Sequence, residues 1–101
     1  MLRKKEESPD VDAVDPVSGQ DIKRHRELRN ISLDEIKEKT KIGKFTLNLI
    51  EEDAYASLPA PVYLKSFLRQ IAELIGMDPE KTVRGYFKRM NETLKKSRRD
   101  G

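Results

Sequence analysis

Two short helical segments separated by a tight break constrain the fold more than any other feature of the sequence. Ser32 and Glu35 have the spacing of a capping box, which predicts a helix over residues 33–40. Residues 41–43 interrupt this segment, and the apolar spacing from Phe45 onward predicts a second short helix. Two short helices across a tight turn form a helix-turn-helix.

Helical patterns also lie on both sides of this pair. A first helix is predicted to begin at Ser18 and to end near residue 30. A fourth helix is predicted over residues 61–75, where a proline opens the first turn and Gly76 supplies the C-cap. A fifth helix follows Pro79, and one apolar stripe runs along it through Val83, Tyr86, Phe87, Met90 and Leu94.

Hydrophobic residues make up 36% of the chain and charged residues 39%, so the core must be thin and a sheet-rich fold is disfavoured. We therefore predict an all-α, repressor-like helix-turn-helix bundle of about five helices over residues 18–94. Residues 1–17 are charged, poor in apolar side chains and interrupted by two prolines, which predicts a disordered arm. Residues 95–101 are predicted to form a basic tail.

The composition disfavours catalysis and metal binding. The chain has no cysteine and a single histidine, His25, so thiolate zinc sites and histidine clusters are excluded. It also lacks a glycine-rich phosphate loop and a nucleophile elbow. We expect a non-enzymatic protein with no cofactor and no metal. Because no apolar run is long enough to span a bilayer, we expect a cytoplasmic location.

The net charge of +3 is unevenly distributed along the chain. Residues 1–20 hold three basic and five acidic side chains, and residues 21–83 hold eleven of each. Residues 84–101 hold seven basic and two acidic side chains. The body of the predicted domain is therefore neutral, which speaks against the basic docking face of a generic DNA-binding domain.

A family resemblance rests on several segments of the predicted helices two to four. They are Ser32-Leu33-Asp34-Glu35-Ile36, Thr40-Lys41-Ile42, Leu47, Ile50-Glu51, Leu58-Pro59-Ala60-Pro61-Val62-Tyr63-Leu64 and Phe67-Leu68. In combination they resemble the cytoplasmic helix-turn-helix domain of the RodZ family of bacterial cell-shape proteins. The likeness covers about residues 18–90.

The resemblance implies a phage-repressor-type fold that serves as a protein adaptor. RodZ domains bind the actin-like filament protein MreB under the membrane, and they continue through a basic linker into one transmembrane helix. It implies that membrane attachment would come through a segment absent from this chain, with the domain at the inner face of the membrane in a longer parent protein. It also implies that Tyr63 and Phe67 face the partner, with Lys65 and Arg69 on neighbouring faces. The alternative is that both aromatic residues pack in the core.

A second hypothesis is DNA binding through the predicted third helix. Its first residues, Lys44, Phe45, Thr46 and Asn48, occupy the positions from which a recognition helix contacts base edges. Residues 32–53 hold four basic and six acidic side chains, and the helix ends in three carboxylates that would repel phosphate. The electrostatics therefore favour the adaptor over a transcriptional regulator.

Two further expectations come from comparison with repressor-type domains. The family places an arginine against the glutamate that closes helix three, which implies a structural Arg26–Glu51 pair. Lys41 stands where the turn usually has a glycine, and Gly43 follows two positions later, so a repacked turn is expected.

Overall fold

The computed structural model describes residues 14–100, with side chains through residue 96. Its helices are α1 (Gly19–Leu28), α2 (Leu33–Thr40), α3 (Lys44–Glu51), α4 (Pro61–Ile75) and α5 (Pro79–Asp100). A single 3-10 turn, Tyr55–Ser57, lies between α3 and α4. The described residues contain no strand, which confirms the predicted all-α helix-turn-helix bundle.

Serine side chains cap the first two helices. The Ser18 hydroxyl accepts the Asp21 amide at 3.1 Å, and the Asp21 carboxylate accepts the Ser18 amide at 3.0 Å, so the reciprocal capping box forms at α1. The hydrogen bond from the Ser18 backbone lowers the pKa of Asp21. At α2 the Ser32 hydroxyl accepts the Glu35 amide at 3.1 Å. These bonds satisfy amides that the first helical turn leaves without partners.

The turn between α2 and α3 keeps a left-handed residue although it lacks the usual glycine. Lys41 has φ 66° and donates its amide to the Lys37 carbonyl at 2.8 Å, which makes it the C-cap of α2. Gly43, the N-cap of α3, has φ −65° and needs no glycine for its conformation. Lys41 therefore adopts a conformation disfavoured for a residue with a Cβ, and the repacked turn stays a prediction.

The core lies where α4 and α5 pack on each other, with α1 and α2 packed against α4 and α3 packed against α1 and α2. Apolar side chains from all five helices are buried, and they include Ile22, Ile36, Leu47, Ile50, Leu64, Leu68, Ile71, Ile75, Val83 and Tyr86. Tyr86 is fully buried, and its hydroxyl donates to the Ile50 carbonyl at 2.7 Å. Burial raises the pKa of Tyr86, so the phenol stays protonated and keeps this bond.

The expected Arg26–Glu51 pair ties α1 to the end of α3. Arg26 Nε lies 2.7 Å from Glu51 Oε2, and Arg26 Nη2 lies 3.0 Å from Glu51 Oε1, so the contact is bidentate. The side chains are only 10% and 8% exposed. Arg26 also donates to the Ile31 carbonyl at 3.0 Å, and its hydrogen bonds to Glu51 raise its pKa.

Asp53 makes a second junction just beyond α3. One carboxylate oxygen accepts the Gly19 amide at 2.8 Å, and the other accepts Arg89 Nη1 at 2.9 Å. Arg89 also donates to the Tyr55 hydroxyl at 2.7 Å. Asp53 therefore connects the start of α1 with α5.

The arm predicted over residues 1–17 is wrong for its last four residues. The Val17 amide donates to the Gly85 carbonyl at 3.1 Å, and Lys88 Nζ donates to the Val14 carbonyl at 3.1 Å. Gly85 permits this approach, because a Cβ there would overlap the Asp15 carbonyl and the Val17 side chain. The remainder of the predicted arm, residues 1–13, lies outside the described residues.

The predicted basic tail is also placed differently, because α5 continues to Asp100. No glycine or proline follows Gly85 before that point, and lysine and arginine are good helix formers. Cations in the last turns also interact favourably with the negative end of the helix. The helix therefore extends six residues beyond Leu94, where the predicted domain ends.

The buried ion pair generates the first prediction. Replacing Glu51 with alanine leaves Arg26 buried without its carboxylate, and we expect the free energy of unfolding to fall by about 3 kcal/mol. Glu52→Ala is the matched control, because this neighbouring carboxylate is exposed and a surface substitution costs about 0.5 kcal/mol or less. Urea denaturation measures both variants. Equal losses would show that the pair is not a special source of stability.

The left-handed turn generates the second prediction. Lys41→Gly removes the Cβ penalty at φ 66°, and we expect the free energy of unfolding to rise by about 1 kcal/mol. Lys39→Gly is the control, because the same substitution inside α2 costs about 1 kcal/mol. Thermal denaturation of the two variants should show midpoint shifts of opposite sign. A loss of stability in Lys41→Gly would contradict the strain argument.

Candidate functional site

The outer face of α3 is more apolar than that of a DNA-reading helix. Leu47 and Ile50 turn into the core, whereas Phe45 is 76% exposed and Asn48 is also exposed. Lys44 supplies the only cation in the sequence of α3, and its Nζ lies 3.0 Å from Asp34 Oδ1 in an exposed pair. A large exposed aromatic ring is therefore the main feature of the helix surface.

The remaining predicted DNA contact is Thr46, which is half-buried. The acidic end of α3 also differs from the sequence-based expectation. Glu51 and Asp53 are held by Arg26 and by Arg89, so their charges are compensated within the domain. Of the three carboxylates, Glu52 is the exposed one. The repulsion of phosphate expected from this segment is therefore weaker than its sequence suggests.

The aromatic pair predicted on α4 is divided between solvent and core. Tyr63 is 60% exposed, whereas Phe67 is half-buried and packs against the core cluster. They lie four residues apart and therefore on the same flank of α4. The sequence left two interpretations open, a partner-facing position and a core position. The exposure of Tyr63 agrees with the first, and the packing of Phe67 agrees with the second. Contact with a partner stays a prediction for both.

The two cations predicted beside this pair lie on the opposite flank. Lys65 follows Tyr63 by two residues, about 200° around the helix, and Arg69 follows it by six, about 240°, so both cations turn away from Tyr63. Lys65 Nζ lies 5.7 Å from the centre of the Phe87 ring, and Arg69 Nε lies 2.7 Å from Glu80 Oε2. The four residues proposed for partner binding therefore do not form one surface.

Sequence reasoning missed Val62 and Leu28, which are 67% and 76% exposed. Val62 directly precedes Tyr63 in the first turn of α4, so two exposed apolar side chains stand together there. Its position directly after Pro61, in the first turn of α4 and next to Tyr63, was the available sequence signal. α2 packs against α3, which carries Phe45, and against α4, which carries Tyr63.

Features of other functional classes are absent from the part of the chain that the structure describes. Residues 14–96, whose side chains the structure describes, hold no cluster of three or more histidine or acidic side chains arranged for a metal. Over the same residues, no helix combines the length and apolarity needed to cross a membrane. His25, the single histidine, is half-buried, and its Nδ1 lies 3.0 Å from the Asp21 carbonyl oxygen.

The geometry can be set beside known proteins. A family model described as a helix-turn-helix domain matches residues 21–82. The cytoskeleton protein RodZ of Streptococcus pneumoniae is 32% identical over 68 residues, which are 67% of this chain and 25% of that protein. An uncharacterized membrane protein of Bacillus subtilis, YmfM, is 38% identical over 50 residues, 50% of this chain and 17% of that protein.

The chain thus spans a quarter or less of the length of these two relatives. No solved structure matches the chain. The family match covers more than half of the sequence and coincides with α1 to α4 and the start of α5. The chain therefore belongs to this helix-turn-helix domain family, as a domain of the type found in RodZ.

Proposed function

We propose that this domain is a protein-interaction adaptor that contacts an MreB-like, actin-like filament, at the inner face of the membrane in a longer parent protein. The observation that carries the proposal is the exposure of apolar side chains on α3, where a DNA reader presents polar ones, and in the first turn of α4. Phe45 is 76% exposed, Val62 67% and Tyr63 60%. Exposed aromatic residues are enriched at the centres of protein interfaces. The RodZ likeness supports a filament as the partner.

DNA binding remains the second candidate, because one observation favours it. Internal pairing of Glu51 and Asp53 removes much of the negative potential expected at the end of α3. The helix still offers a single lysine, and Asp34 already pairs with it. Since phosphate contacts supply much of the affinity of DNA-binding proteins, we rank this candidate below the adaptor.

The third prediction concerns the aromatic contacts. Tyr63→Ala should weaken binding to purified MreB filaments by about 2 kcal/mol, because truncation of a hot-spot aromatic typically costs that much binding free energy. Cosedimentation measures the affinity. Because Tyr63 is exposed, its substitution leaves the core intact. Truncation of Phe67 would also cost stability, because Phe67 packs against the core. Phe45→Ala should weaken binding in the same direction.

Asn48→Ala is the matched control on α3, since its side chain is exposed and polar. It should bind filaments as the unchanged protein does. If Tyr63→Ala and Phe45→Ala both bind filaments with unchanged affinity and both keep their helical circular dichroism, these residues are not the filament contact.

The fourth prediction tests DNA. The unchanged protein should bind a mixed-sequence duplex weakly in fluorescence anisotropy, and the combined Lys44→Ala and Asn48→Ala variant should bind no worse. A DNA reader would instead lose affinity in this variant, by about 1–3 kcal/mol for each lost base contact. Such a loss, at constant salt, would favour the regulator over the adaptor.

A further inference from the structure

We propose that the groove between α4 and α5 is a docking site for a short, extended acidic segment of a partner protein. The segment carries an apolar side chain between its carboxylates. This α4–α5 groove has a volume of about 570 Å³. It is separate from the filament contact proposed above, because Tyr63 lies on the opposite flank of α4. The charges of the groove walls, the apolar floor and the length of the α5 wall together define the occupant.

The walls of the α4–α5 groove carry more positive than negative charge. They hold four cations and two carboxylates, which are Lys65, Arg69, Arg84, Lys95, Glu80 and Glu92. Lys88 also borders the groove, but its ammonium already donates to the Val14 carbonyl at 3.1 Å, so the balance is taken without it. The walls then have an excess of two positive charges. An occupant with carboxylates complements this charge.

Arg84 is the cation with the clearest need for a partner. It is half-buried, and no carboxylate among residues 14–96 lies within ion-pair distance of it. Glu80, one turn earlier on α5, pairs with Arg69 at 2.7 Å instead. The hydrogen bond from Arg69 is the main cause that lowers the pKa of Glu80, and Arg84 adds only a weaker attraction. A carboxylate supplied by a partner would give this partly desolvated guanidinium the bidentate contact that it lacks.

The floor of the groove is apolar. Val83 is almost fully buried there, and Phe87 is half-buried. Lys65 Nζ lies 5.7 Å from the centre of the Phe87 ring, so a cation and an aromatic surface stand side by side. An apolar side chain placed on Phe87 would bring a neighbouring carboxylate of the same segment within reach of Lys65. The occupant therefore needs an apolar side chain as well as carboxylates.

The α5 wall sets the length of the occupant. Arg84 and Lys95 both line the groove, and their positions in the sequence place them about 16 Å apart along the helix axis. An extended segment rises about 3.3 Å per residue, so about five residues span this distance. Every second side chain of such a segment points to the same side. One side can therefore carry carboxylates toward the walls and an apolar side chain toward Phe87.

Two other kinds of anionic partner fit this groove less well. The surface of a bilayer is too flat to reach a floor that lies between two helices. The closely spaced phosphates of a nucleic acid would be repelled by Glu80 and Glu92 on the walls. A single extended peptide enters a concave groove and places its few carboxylates at the cations, as in the recognition of acidic motifs by clustered arginines.

Amide chemical shifts in the NMR spectrum of the full chain test the proposal. The probe is the end-blocked peptide Glu-Asp-Gly-Leu-Gly-Asp-Glu. One control, Gln-Asn-Gly-Leu-Gly-Asn-Gln, lacks the carboxylates, and the other, Glu-Asp-Gly-Gly-Gly-Asp-Glu, lacks the apolar side chain. We expect the probe to shift the signals of residues 65–69 and 83–95, and both controls to bind about tenfold more weakly. Binding of the probe should also weaken in 1 M NaCl, where the screening length is about 3 Å.

Charge-removing variants locate the contact. Arg84→Gln should weaken binding of the probe about tenfold, because hydrogen bonds between charged groups are lost. Lys65→Gln and Lys95→Gln change exposed residues and should keep the fold, and each should weaken binding about threefold. These two variants decide the matter if Arg84→Gln fails to fold. Lys39→Gln, on the exposed surface of α2, is the matched control and should bind the probe as the unchanged protein does.

Three results would overturn the proposal. They are equal binding of the probe and the carboxylate-free control, shifts confined to α1, α2 and α3, and binding of another anionic partner with no binding of the probe. Vesicles of phosphatidylglycerol and phosphatidylcholine in equal parts, and a mixed-sequence DNA duplex, test the third. All the variants keep Phe45, Val62 and Tyr63, so failure of this experiment and failure of the filament assay are distinguishable.

Discussion

The C-terminal end of α3 is the point on which the rest of the structure depends. Residues 50–53 accept hydrogen bonds from three other parts of the fold. Glu51 accepts from Arg26 of α1, and the Ile50 carbonyl accepts from the Tyr86 hydroxyl of α5. Asp53 accepts from the Gly19 amide and from Arg89. The Arg26–Glu51 pair is buried, so its two charges stabilise the fold only as long as both partners are present. The pair therefore fixes how α1 meets α3.

Close backbone contact reinforces the same junction. A Cβ at Gly19 would overlap the backbone carbonyls of Ile50 and Glu51, so α1 begins directly against the last turn of α3. The thin core of this highly charged chain makes such contacts important, because few apolar side chains are available to hold the short helices. Specific hydrogen bonds and close packing thus orient helices that burial alone would hold loosely.

This internal use of charge bears on function. The carboxylates of Glu51 and Asp53 serve the fold, and so do the cations Arg26 and Arg89, so the total charge of residues 32–53 is a poor guide to what a partner meets. The surface near α3 and the start of α4 instead presents Phe45, Val62 and Tyr63. Apolar exposure, and not net charge, is the property on which the adaptor proposal rests.

Much of the local structure followed from the sequence. Capping serines, the proline at the start of α4 and Gly76 after it are short-range features, and the predicted helices agree with the observed bounds to within a few residues except at the end of α5. The family resemblance led to the Arg26–Glu51 contact. These features depend on residues close in the chain or on motifs shared with relatives.

Only the tertiary structure decided which side chains remain exposed. Tyr63 and Phe67 are equivalent in helical spacing, yet neighbouring helices cover one more than the other. Residues 14–17 belong to a segment predicted as an arm because it is charged, poor in apolar side chains and interrupted by prolines, but Gly85 lets them lie on α5. Helical periodicity in the sequence determined where the helices form, whereas the packing of one helix against another, through contacts distant in the chain, determined which faces are left for a partner.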